Sequence, residues 1–193
     1  MDFGFFLRGL TGVIFKPARF WETLNPDRHT ASKILLSYLL PLVILVSLST
    51  YFGSMLFTNT KMELAFSVIT AVRCLAVYAV SIYLSTNILN GITHPLDLGR
   101  NTAVSFSLIV FSVTPLMLCQ LISKLFETFQ FVNILALYGL YIFWAGAEKL
   151  LNPPDYRKTP LLVAAFVTFT GIFIAADIIL KMVAERLYSA LFG

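Results

Sequence analysis

The sequence predicts an all-α polytopic membrane bundle of five spans, preceded by an amphipathic helix lying in the membrane interface. Of 193 residues, 58% are hydrophobic and only 12% are charged, against about 25% charged in an ordinary soluble chain. Mean hydropathy is +0.83. The apolar residues, including 18 Phe, fall in long runs rather than the alternating ten-residue segments of a barrel, so helices must satisfy the backbone in lipid. Together these observations exclude a secreted disulfide scaffold, a soluble enzyme and a disordered tail.

The first element is the arm over residues 3 to 24. Phe3, Phe6, Leu7, Leu10, Val13, Ile14, Pro17, Phe20, Trp21 and Leu24 recur at helical spacing, with Arg8, Gly12, Lys16, Arg19 and Thr23 opposite. Arg8 interrupts the run and no small-residue cleavage site follows, so the arm is not read as a signal peptide. Pro17 should divide it into two short helices, and Asn25-Pro26-Asp27 should end it with a turn. Two roles fit: a helix that caps the bundle, or a surface platform. In the second, Arg8, Lys16, Pro17, Arg19, Phe20 and Trp21 would form the face for a protein partner or anionic lipid.

Five apolar segments then approach or exceed the roughly 20 residues needed to cross a bilayer: about 34–57, 64–89, 102–123, 129–147 and 160–180. Pro41 in the first and Pro115 in the third are candidate kinks. Thr60 and Glu63 have the spacing of a capping box before the second. Thr159-Pro160 reads as an N-cap and first helical position for the fifth. Connections are short, so residues 1–193 are expected to form a single membrane domain. Gly171 and Ala175, and the stripe Ala136, Gly139 and Gly146, suit close helix packing.

An odd number of spans puts the termini on opposite sides. Nine Lys/Arg residues flank the side of the N-terminal arm and four the other, which predicts a cytoplasmic N-terminus and an outer C-terminus. The net charge of +4 then reflects sidedness and attraction to anionic lipid, not nucleic-acid binding.

Within the spans, Arg73 is the most informative residue, since an Arg at a helix centre costs about 2.5–3.5 kcal/mol on insertion scales. The expected topology puts it in the outer leaflet with Gln120, Asn133 and Asp177, as a polar pocket or a hydrogen-bonded clasp. Asp177 could instead pair with Lys181 one turn on, while Gln120 and Asn133 could be ordinary helix-end residues. Asn87 reads as a packing hydrogen bond or a cap. Enzyme signatures are missing: His29 and His94 lie far apart, Cys74 and Cys119 suit apolar packing, and there is no P-loop, CxxC or G-x-S-x-G. No catalytic residue, metal or cofactor is expected.

The order of features resembles the Yip-one family of Ypt/Rab-interacting membrane proteins. The resemblance is carried by Lys16-Pro17-Ala18-Arg19-Phe20-Trp21, by Phe111-Ser112-Val113-Thr114-Pro115-Leu116, and by the run Leu137 to Gly146 followed by Leu150-Leu151-Asn152-Pro153-Pro154. It implies five spans and a cytoplasmic N-terminus. The eukaryotic branch carries a long N-terminal region with a D-L-Y-G-P motif and is linked to Rab GTPases; this sequence has neither that length nor that motif, and its compact form resembles bacterial members, implying the inner membrane. Two functions are compatible with these features. One is a non-enzymatic scaffold, adaptor or membrane-organising protein acting through its cytoplasmic face, with a protein partner or a homo-oligomer. The alternative is a small transporter or channel component using the outer-leaflet cluster.

Overall fold

The computed structural model describes residues 3–24, 31–57, 63–93 and 101–192. Among these, every element is helical. The arm forms α1 (Phe3–Phe15) and α2 (Pro17–Thr23), broken before Pro17 as expected, with that proline at the first helical position. The Asn25 to Asp27 turn, His29, Thr60 and His94 lie outside the described residues.

The first span starts as α3 (Ala31–Ile34), passes through a π-helical turn (Leu35–Leu39) and continues as α4 (Leu40–Phe57). The turn lies just ahead of Pro41, whose ring would crowd the carbonyl four residues back in a regular α-helix. Widening the turn, with the Leu40 amide donating to the Leu35 carbonyl, is a recognised response to such a break in the ladder. Tyr38 within this turn is fully buried. The second span is α5 (Glu63–Thr93) and the third α6 (Thr102–Leu125). Asn101 caps α6, its side-chain oxygen accepting from the Ala103 and Val104 amides at 3.0 and 3.3 Å. Pro115 sits inside α6, which continues through it.

The last two spans depart from a simple α reading. The fourth opens as a 3-10 helix (Glu127–Leu137), with Phe129 outside helical geometry, and becomes α7 only at Tyr138–Leu150. At about 2.0 Å rise per residue, the stretched half lets a segment with only 13 α-helical residues extend across the bilayer. The fifth span is α8 (Asp155–Phe192), so Thr159-Pro160 is not its start. The chain turns earlier: Asn152 takes a left-handed φ of 43° after α7. Pro153 and Pro154 follow, and Asp155 opens α8 with an ion pair to Lys158 at 2.8 Å. At 38 residues, α8 is about 57 Å long; it continues past Leu180 and exceeds the hydrocarbon thickness.

The third span is the axis. Most of its most apolar stretch is buried, whereas little of the fifth span's is, and the fifth packs mainly on α5. Small and hydroxyl residues allow the helices to approach. Ser67 and Ser81 on α5 and Ser107 and Thr114 on α6 are fully buried, and Ser54 donates to Ser67 at 2.6 Å across α4 and α5. A Cβ at Gly53 would strike the Lys124 carbonyl, and one at Gly139 the Ser112 carbonyl; at Gly171 it would meet nothing within 4 Å. Gly139 and Gly146 therefore serve helix approach, while Gly171 and Ala175 are exposed.

Gly139→Val should lower the thermal midpoint in detergent by an amount corresponding to about 1–3 kcal/mol of overpacking. Gly171→Val should leave it within about 0.5 kcal/mol. Equal midpoints for the two variants would contradict this packing.

Candidate functional site

Two regions collect the chemistry. At the end of the bundle where α3 and α6 begin and α7 ends, the arm folds inward. Trp21 is 1% exposed and its indole Nε1 donates to the Ile142 carbonyl of α7 at 3.0 Å. Phe20 and Trp21 meet Phe111 edge-on, with ring centroids 4.8 and 5.7 Å apart, and Tyr38 lies 4.6 Å from Phe111. The Tyr38 hydroxyl shares a 2.9 Å hydrogen bond with Thr114. A Cβ at Gly146 would lie 2.6 Å from the Trp21 ring, so the glycine leaves room for the indole.

This docking divides the predicted partner face. Pro17 and Trp21 are buried and Phe20 is half-buried, whereas Arg8, Lys16 and Arg19 are exposed. The burial of Trp21 has a simple cause: an indole with one N–H donor is more stable where a carbonyl accepts it and aromatic rings surround it than in an open interface. The arm is thus two-sided: its buried side packs on the bundle and its outer side carries cations. Glu22 pairs with Lys149 at 2.7 Å, which holds its carboxyl below the usual range. The pair clips α2 to the end of α7.

At the opposite end, Arg73 on α5 donates from one terminal guanidinium nitrogen (Nη1) to Asp177 on α8 at 2.6 Å. The Tyr78 hydroxyl donates to the Gln120 side chain at 2.9 Å. Thr50, Arg73, Tyr78, Gln120, Lys124 and Asp177 border one cavity of about 80 Å³, large enough to hold water. Three of the four predicted residues are therefore brought together. Asn133 is not: it accepts from Ser123 on α6 at 3.3 Å and donates to Gln130 at 3.4 Å. It sits on the 3-10 segment, which packs on α6, while Arg73 and Asp177 meet across α5 and α8. Lys181 points to Glu185 at 4.0 Å, not to Asp177. Asn87 bonds the Tyr83 carbonyl of its own helix at 2.8 Å.

Tyr78 and Thr50 were missed in the sequence. A tyrosine inside a span needs a partner for its hydroxyl, and that requirement was the available signal. With the guanidinium and carboxylate neutralising one another in a small cavity, the arrangement fits a clasp that ties α8 to the bundle. Cys74 and Cys119 are buried and form no disulfide, and the described residues contain no group of three or more His, Cys, Asp or Glu side chains that could hold a metal ion.

The profile of the Yip1 domain matches residues 11–177. No curated protein and no solved structure matches the chain.

Arg73→Leu and Asp177→Leu should each destabilise the protein, because each strands one charge at membrane depth, at a cost of about 2.5–3.5 kcal/mol if unrelieved. The double variant should recover part of that loss, because it strands neither charge. A double-mutant cycle of thermal midpoints in detergent with no coupling would rule out the clasp.

Proposed function

The chain belongs to the Yip1 family of membrane proteins, and from that premise we propose that it is a non-enzymatic scaffold or adaptor of the inner membrane. Its N-terminus and the short connection at 151–154 face the cytoplasm and its C-terminus faces outward. The whole of residues 1–193 acts as one membrane domain. The sidedness is supported by charge: among the described residues, Arg8, Lys16, Arg19, Lys33, Lys149, Arg157 and Lys158 gather at the arm end, against Lys124, Lys181 and Arg186 at the other.

The observation that carries the reading is the burial of Trp21. An arm anchored by a buried indole presents its outer residues at fixed positions, and a preformed surface binds without first losing the entropy of a loose tail. Flux is less well supported, since the Arg73 and Asp177 charges already satisfy each other beside a cavity of only about 80 Å³. The family resemblance extends the role toward membrane organisation and trafficking-like recruitment.

A photo-crosslinking residue at Ala18, which is exposed on α2, should capture a discrete protein in native membranes. The same probe at Leu187 on α8, 52% exposed, should not. Identical yields at the two positions, or no protein adduct at Ala18, would overturn the scaffold reading.

A further inference from the structure

Between the arm and the start of the first span lies a groove of about 440 Å³ bordered by Arg8, Lys16, Arg19 and Lys33. Among the described residues lining it there is no carboxylate. Nearby Glu22 touches Arg19 electrostatically but is committed to Lys149 at 2.7 Å. Lys33 lies over the Phe5 ring, 5.3 Å from its centroid, and Arg8 spends its Nε–H on the Gly4 carbonyl at 3.0 Å, leaving its remaining N–H donors for other acceptors. Arg8, Arg19 and Lys33 come from α1, α2 and α3, and Lys16 from the break between α1 and α2. They converge because Gly12 lets Phe20 close against α1, where a Cβ would sit 2.9 Å from the ring.

Four like charges around one hollow repel each other unless an anion sits among them. The same arm exposes Phe3 at 71%, Leu7 at 44% and Phe15 at 77%, an apolar rim that lies favourably at the boundary of headgroups and acyl chains. The anion abundant at that depth is the phosphate of a phospholipid. We propose that this groove is a binding site for the headgroup of an anionic phospholipid, with Arg8, Lys16, Arg19 and Lys33 as its cationic ligands. The inference rests on the scaffold reading and deepens it: the lipid is what the arm end recognises in the membrane itself, and it seats the arm at the surface where a partner would dock.

The test uses the full chain in neutral detergent, with thermal midpoints followed as short-chain phosphatidylglycerol, short-chain phosphatidylcholine or inorganic phosphate is added. Phosphatidylglycerol should raise the midpoint and phosphatidylcholine should not. The variant R8Q/K16Q should need about 25-fold more phosphatidylglycerol for the same shift, at roughly fivefold per basic residue. The variant K181Q/R186Q, with the same loss of charge at the other end, should respond like the parent. Equal response to the two lipids, or equal loss in both double variants, would overturn the site. An equal shift with inorganic phosphate at the same concentration would overturn the lipid as the source of the anion. Should R8Q/K16Q fail to fold, Lys16→Glu, a single exposed position, should still abolish the preference for phosphatidylglycerol; retention of the preference would overturn the proposal. This readout is independent of protein capture at Ala18, so loss of lipid preference with capture intact removes only the lipid site.

Discussion

Burial of Trp21 against α6 and α7 is the interaction on which the arrangement of the arm end depends. The indole supplies one donor to Ile142 and two apolar faces to Phe111, Phe20 and the Gly146 notch. Within a bilayer there is little hydrophobic gain in moving an apolar side chain from lipid to protein, so association relies on close packing and satisfied polar groups. Trp21 provides both at once. It also accounts for the composition around it: a glycine where the ring enters, aromatics at its edges, and the Ile142 carbonyl, whose second lone pair can accept from the indole.

The axial position of α6 follows from the same economy of packing. Its buried surface carries Ser105, Ser107 and Thr114 beside Leu108, Phe111 and Met117, so neighbouring helices meet small side chains and hydroxyls interleaved with large apolar ones. Gly53 and Gly139 bring their helices close to α6 carbonyls at Lys124 and Ser112. By contrast α8 touches the bundle mainly along α5, and the Arg73–Asp177 pair adds a polar contact to that seam. Each end of the molecule therefore has its own fastening: an aromatic one around Trp21 and an ionic one between α5 and α8.

Much of this was legible in order and much was not. The spans, the break at Pro17 and the grouping of Arg73, Gln120 and Asp177 at one depth follow from hydropathy, proline chemistry and the rise per residue. Asn133 lies apart because its segment packs on α6, where Ser123 donates to it, while Arg73 and Asp177 meet across α5 and α8; depth along a span does not report which neighbour a helix faces. The amphipathic pattern of the arm located Trp21 on the apolar face, but periodicity reports that a face is apolar and not whether lipid or protein covers it. Phe3 and Trp21 belong to one stripe in the sequence; one is 71% exposed and the other 1%.

The sequence by itself determined the solvent, the number of spans and the distribution of charge between the two ends, because these depend on composition and on the fixed length needed to cross a bilayer. Only the tertiary structure decided which polar groups pair, that Asp177 reaches Arg73 across helices and not Lys181 along its own, and that Arg8, Lys16, Arg19 and Lys33 border one groove. Those outcomes depend on how helices rotate and approach one another. A π-turn before Pro41 and glycines that admit a ring or a carbonyl set those rotations and distances locally, and no average over a hydropathy window contains them.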